Sequence, residues 1–228
     1  MSTLILFDVD ATLLLTGGAG VRAMNRAIQE LYGVSDGFEG IPMAGRTDRA
    51  IVAGAMTRLG RPFDDRILDR FRTVYCERLR EEIGRPLPGK RVLPGVPELL
   101  AALRARPEVH VGLLTGNFAE GARVKLEHFA LRQHFRFGAF GDDELDRNAL
   151  APVARARAAE LGLPAFTPDR IFVVGDTPLD VACALAAGVR SIGVATGPYD
   201  TAALGAAGAH DVFEDLRDAA RFLRVIER

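Results

Sequence analysis

The sequence has two cysteines, two lysines, no excess of either charge and no apolar run long enough to cross a bilayer. Each shortage excludes something. Cys76 and Cys183 stand far apart in apolar, helix-like stretches, with no Cys-x-x-Cys or metal-ligand spacing. They read as small core residues of a protein kept in a reducing compartment. Twenty-nine basic residues against thirty acidic ones give a net charge of −1, so no global field draws nucleic acid or an anionic membrane surface. A spanning helix needs about 20 apolar residues, and none of the runs approaches that. The first acidic pair arrives by residue 8, leaving no room for a signal sequence, so the cytoplasm is the expected compartment. Lysine is confined to Lys90 and Lys125, and arginine supplies the rest of the positive charge.

What is present is a chain of 228 residues with an ordinary soluble composition, 48% hydrophobic and 26% charged. That length allows one large domain, or one domain with an insert. Leu4-Ile5-Leu6-Phe7 is a continuous apolar run that stops abruptly at acids. Such a run suits a strand buried on both faces of a parallel sheet. The pattern recurs at 109–114, 171–174 and 191–194, and more weakly at 137–140 and 212–213. Helical patterns lie between them at 96–105, 118–130, 150–161, 179–187 and 215–226. The alternation predicts an α/β fold, a doubly wound parallel sheet with helices on both faces.

The interval 16–89 breaks that alternation. It holds helical stretches near 20–32, 47–59 and 65–83 and no convincing strand. Gly17-Gly18-Ala19-Gly20 opens it and Arg85-Pro86-Leu87-Pro88-Gly89 closes it. Punctuation of that kind at both ends reads as hinges around an inserted α-helical cap, with 1–15 and 90–228 forming the core.

Three constellations fall at strand ends. Asp8-Val9-Asp10-Ala11-Thr12 follows the first strand. In extended chain, residues i and i+2 point to the same side, roughly 6–7 Å apart. Two carboxylates so placed can flank one phosphorus, one attacking and the other protonating the departing oxygen. Alone the pair means little, because acids are common in turns. Gly175-Asp176-Thr177-Pro178-Leu179-Asp180 follows the strand 171–174, with Pro178 suited to a first helical turn. Acids from two strands on one sheet edge repel each other and call for a cation. An oxygen-only ligand set without His or Cys suits Mg²⁺. The third constellation, Leu113-Leu114-Thr115-Gly116-Asn117, puts a hydroxyl and backbone N–H groups before a helix. That is a natural phosphate cradle, or in isolation a simple capped turn. Their conjunction at the edge where open α/β sheets bind ligands is what carries weight.

As an ordered set over nearly the whole chain, these motifs resemble those of the haloacid dehalogenase superfamily of hydrolases. Asp8 to Thr12 is similar to the family's first motif, Thr115 to its second, and Gly175 to Asp180 to its fourth. The resemblance implies a Rossmann-like core with the first strand between the second and the fourth, and a small mobile cap. It also implies phosphomonoester hydrolysis through an aspartyl phosphate on Asp8, with Asp10 as acid and then base. Mg²⁺ would be held by Asp8, the Asp10 carbonyl and Asp176, with Asp180 orienting its surroundings.

Two departures stand out. Ala11 replaces the usual glycine, which would strain the chain by roughly 1 kcal/mol if the position needs positive φ. The third motif's lysine is missing from 141–152, where Arg147 is the matching cation. Lys125 is the alternative, although its helical context reads as a solvated surface position. Gly45-Arg46-Thr47-Asp48 is similar to the cap loop of phosphoglycolate phosphatase-like members; Arg46 could meet a substrate carboxylate or be a solvated helix-start residue. Within the family, Asp10 argues against a dehalogenase, and the absence of lysine from 16–89 argues against a Schiff-base phosphonatase. A phosphosugar mutase of the β-phosphoglucomutase type keeps the same core motifs, and a catalytically silent binding module is the reading from another class. The resemblance implies a small phosphorylated metabolite as substrate, phosphoglycolate or a sugar phosphate.

Overall fold

A computed structural model of the chain describes residues 2–228. Six parallel strands build the core sheet: β1 (Thr3–Phe7), β4 (Val109–Leu114), β5 (Gly138–Ala139), β6 (Ile171–Gly175), β7 (Arg190–Val194) and β8 (Asp211–Phe213). Their order is β5-β4-β1-β6-β7-β8, so β1 lies between β4 and β6 as the motif order requires. Strand periodicity explains why β1 is apolar throughout. Ile5 and Phe7 face one side with Phe172 and Val174, against α4 (Val96–Arg104), α5 (Ala119–His128) and α9 (Ala219–Glu227). Leu4 and Leu6 face the other with Ile171 and Val173, against α6 (Leu150–Glu160) and α7 (Pro178–Ala186). Each fully buried side chain of this size contributes roughly 1.5–3 kcal/mol. That two-sided burial is what makes the central strands continuous hydrophobic runs.

The insert is helical: α1 (Ala19–Tyr32), α2 (Asp48–Arg58) and α3 (Asp65–Gly84). It has its own core, in which Met24, Ile28, Ile51, Phe71 and Leu79 pack together and against Phe118 and Val124 of the main domain. The chain's passage in and out of it is more ordered than bare hinges. Leu14–Thr16 (β2) pairs antiparallel with Lys90–Val92 (β3), Thr16 opposite Lys90. Three-residue strands are too short to show periodicity, which is why the sequence offered no sign of them. Gly17 makes the crossing possible: its φ is 61°, and a Cβ there would sit 2.6 Å from the Pro88 carbonyl oxygen. We propose 16–89 as the cap, with this ribbon as its base.

Two other elements differ from expectation. A six-residue helix, α8 (Thr201–Ala206), starts at Asp200, whose carboxylate accepts the Ala203 N–H at 2.8 Å. Its alanine- and glycine-rich sequence gave no amphipathic signal. The last helix begins at 219 rather than 215, because Asp218 caps it by accepting the Arg221 N–H, while Asp215 accepts the Arg217 N–H in the preceding turn.

Ala11 does occupy the left-handed region, at φ 57°. Its N–H donates to the Leu14 carbonyl at 2.8 Å, and its own carbonyl accepts the Thr196 hydroxyl at 2.6 Å. The turn is therefore fixed from both sides and cannot relax. Ala11→Gly should raise stability by up to about 1 kcal/mol, or roughly 2–4 °C in Tm. Thermal unfolding of the two proteins measures it; an unchanged or lower Tm would mean that the turn carries no strain.

Candidate active site

Because β1 is flanked by β4 and β6, the three loops that leave their carboxyl ends meet at one place. The Asp8 N–H continues the β1–β6 pairing by donating to the Val174 carbonyl at 2.9 Å, which fixes the carboxylate just beyond the sheet. Asp8, Asp176 and Asp180 are buried, and one carboxylate oxygen from each lies within 4.8 Å of the others. Burial pushes Asp8 up to about 6, against the pull of Arg147 and with Asp180 adding repulsion. Asp176 is pushed up to about 8, by burial and then by Asp180 and Asp8.

The donor set fits a hard divalent cation. Asp180 is already committed: one oxygen meets Arg147, and the other accepts the Thr177 N–H at 3.0 Å and hydroxyl at 2.7 Å. The open oxygens belong to Asp8 and Asp176. Asp8 Oδ1 is buried with no hydrogen-bond partner among the described residues. Among the described residues Asp176 takes only the Thr12 hydroxyl, at 3.2 Å. Gly197 lies so close that a Cβ there would stand 1.8 Å from Asp176 Oδ2. An orphaned carboxylate oxygen beside a second acid, with no nitrogen or sulfur donor, suits Mg²⁺.

Arg147 reaches the same centre. It opens a short 3₁₀ turn, Arg147–Ala149, and is buried with one nitrogen 3.4 Å from Asp8 Oδ1 and another donating to the Gly45 carbonyl at 3.0 Å. Burial opposes its charge, yet Asp180 and Asp8 hold its pKa above the usual value. The guanidinium thus lies beside Asp8, braced by Asp180.

Lys125 requires a correction. It is not a solvated surface residue: it is 4% exposed, and its ammonium lies 2.5 Å from both Asp10 Oδ2 and Asn117 Oδ1. Its helix packs that face on the core, between buried Val124 and Leu126. The apolar neighbours and the scarcity of lysine were the only signals for it. Asn117 also differs from expectation in detail. Its side-chain amide donates to Asp10 Oδ2 at 2.9 Å and to Thr115 Oγ1 at 2.8 Å, so it serves Asp10 rather than offering a free phosphate ligand. Thr115 is fully buried at the end of β4. Its hydroxyl pulls the Asp8 pKa down, against burial.

The cap loop closes this centre. The Asp48 N–H donates to the Gly116 carbonyl at 2.6 Å, the Thr47 hydroxyl to the Leu145 carbonyl at 2.8 Å, and the Phe118 N–H to Asp48 Oδ2 at 2.8 Å. Gly116 admits the loop, since a Cβ there would be 2.0 Å from the Arg46 carbonyl oxygen. Asp48 is buried, and its carboxyl is pushed up to about 7 by burial, with Lys125 opposing. Between cap and core lies a cavity of about 260 Å³, lined by Asp8, Asp10, Thr115, Arg147, Asp176 and, from the cap loop, the exposed Arg46. Among the described residues no helix is long and apolar enough to cross a membrane.

Residues 5–194 match the family model described as haloacid dehalogenase-like hydrolase. The phosphoglycolate phosphatase of Rhodospirillum rubrum is 31% identical over 217 residues, covering 94% of this chain and 88% of that protein. The phosphoglycolate phosphatase of Pseudomonas putida is 26% identical, covering 94% and 77%. A hydrolase from Pseudomonas syringae shares the fold with a TM-score of 0.67 at 23% identity, over 99% of each chain. A predicted phosphatase from Clostridium acetobutylicum does so with a TM-score of 0.69 at 19% identity, over 98% and 99%.

Proposed function

This chain belongs to the haloacid dehalogenase-like hydrolases, and on that premise we propose that it is a phosphatase that hydrolyses a small phosphomonoester through an aspartyl phosphate on Asp8. The supporting observation is the meeting of Asp8 and Asp176 on adjacent strand ends, with the buried Arg147 guanidinium 3.4 Å from Asp8.

Asp8 presents a carboxylate oxygen to phosphorus. As the new O–P bond forms, the bond to the ester oxygen breaks, and that oxygen takes the proton of Asp10. Asp10, now a carboxylate, accepts a proton from water as the water attacks phosphorus; the acyl phosphate breaks, phosphate leaves and Asp8 is restored. Lys125 and Asn117 hold the Asp10 carboxylate in place for both steps. Arg147, Thr115 and the backbone N–H groups around Gly116 receive the phosphoryl oxygens. Mg²⁺, with Asp8, the Asp10 carbonyl and Asp176 as its protein ligands, supplies neutralisation of phosphoryl charge when bound. The closed cap loop excludes water that would compete with the ester oxygen for the Asp10 proton.

The test is phosphate release from a phosphomonoester panel with and without Mg²⁺. Mg²⁺-dependent release from a small ester is expected. Absence of release from every ester would overturn the proposal in favour of a silent module. Transfer to sugar-phosphate acceptors faster than to water would make the protein a mutase.

A further inference from the structure

A second cavity, of about 360 Å³, lies at the far end of β4 from Thr115. β5 has two residues and pairs only with Leu113 and Leu114, so the first half of β4 has no strand on that flank. Val109, His110 and Val111 are half-buried there, whereas the rest of the strand is buried. The gap is walled by the end of α4, by the segment from the 3₁₀ turn Arg132–His134 to Phe137, and by the residues that follow α6. Its polar lining is basic: Arg104, Arg106, Arg136, His110 and His134, with Gln133 and no acid. Arg106 is committed elsewhere, lying 3.5 Å from Glu227 and donating to the Ala102 carbonyl at 3.0 Å. Arg104 and Arg136 have no salt bridge and no side-chain hydrogen bond among the described residues. Arg104 ends α4, where a cation offsets the helix dipole, but Arg136 belongs to no helix. Burial and then Arg104 push the His134 imidazole below its usual value, so these two groups face each other without a counter-charge.

We propose that this cleft binds a small organic anion, with Arg104, Arg136 and His134 taking its charged head and the open flank of β4 taking an apolar body. The head follows from the polar lining. Cations held near one another and answered by no acid are stabilised by a phosphate- or carboxylate-like group, to which a guanidinium donates in pairs. The body follows from the rest of the wall, where Val109, Val111, Leu161 and Leu163 are apolar and Phe137 adds a ring. Leu161 is 43% exposed and would be covered by such a body. The size follows from the volume, which is near the lower end for ligand pockets and holds one ring or a short chain rather than a macromolecule. Extended chain from Val109 to Thr115 spans roughly 20 Å, so the occupant is not the ester that meets Asp8. The site therefore stands whether or not the phosphatase reading does.

The experiment follows the imidazole NMR signals of the whole chain near neutral pH while phenylphosphonate or benzoate is added. No histidine lines the catalytic cavity, so a change at His134 reports this cleft alone. Either anion should shift His110 and His134, leave His128 and His210 in place, and raise the titration midpoint of His134. Tighter binding of phenylphosphonate would assign the head to a phosphate-like group, and tighter binding of benzoate to a carboxylate. Arg104→Gln combined with Arg136→Gln should weaken the binding by about ten-fold or more. Both side chains are exposed, so the variant keeps its fold, checked by Tm. No change at His134 with either probe, or an affinity that survives the double variant, would overturn the site. So would benzyl alcohol or inorganic phosphate binding as tightly as the two anions that carry a ring, since the first has no charged head and the second no apolar body.

Discussion

Asp8→Asn should leave a folded protein whose phosphomonoester turnover falls by at least about 10³-fold, with no recovery at higher substrate or Mg²⁺ concentration. The size of the loss follows from the role. An amide cannot form the covalent intermediate, and Asp180 cannot take its place, being consumed by Arg147 and Thr177. The fold should survive because asparagine has the same shape and removes one charge from a cluster of three buried acids. Asp8 Oδ1 has no hydrogen bond to lose. Beryllofluoride, which mimics a phosphoryl group on a carboxylate, should bind the wild type and not Asp8→Ala. Equal binding to both, or retained turnover in Asp8→Asn, would remove Asp8 as the nucleophile.

The acids were legible because a buried parallel strand ends abruptly, and its hydrophobic run points to the residues that follow. Asp8 and Thr115 stand one residue past such a run and Asp176 two, and the adjacency of β1, β4 and β6 then brings them together. Arg147 was proposed for a different reason: the family resemblance implies a lysine in the third motif, and 141–152 offers Arg147 as the matching cation instead. Residues whose role depends on the opposite wall escaped. Lys125 lies on an amphipathic helix, where a single polar group among core positions looks the same whether it meets solvent, a partner or a cavity. Asp48 follows the N-cap Thr47, whose side chain accepts the Ala50 N–H at 3.1 Å, a position where an acid is common whether or not it is buried. The β2–β3 ribbon is set by pairing across more than 70 residues, and three-residue strands leave no local trace.

The same crowding of acids predicts how stability should respond to pH and to Mg²⁺. An unfolded aspartate has a pKa of about 4. In the fold Asp8 rises to about 6 and Asp176 to about 8, and Asp48, away from the pair, to about 7. These three groups therefore hold more protons in the folded chain than in the unfolded one from about pH 4 upward. Their contribution to stability without a cation is fully present below that range and is lost as pH rises through 6 to 8. Chelator-treated protein should accordingly melt at a lower temperature at pH 8 than at pH 5. A cation competes with those protons, so the increase in Tm caused by Mg²⁺ should grow over the same interval. At a hundred times its Kd the ion should add about 2.7 kcal/mol, or roughly 5–10 °C for a chain of this size. Asp48→Asn should remove part of the pH slope and leave the Mg²⁺ shift intact, because its carboxyl is held by Phe118 and belongs to no cation site. Asp8→Asn combined with Asp176→Asn should abolish the shift and remove a further part of the pH slope. A Tm that ignores Mg²⁺ at pH 8, or a shift that persists in the double variant, would separate these acids from any shared ion.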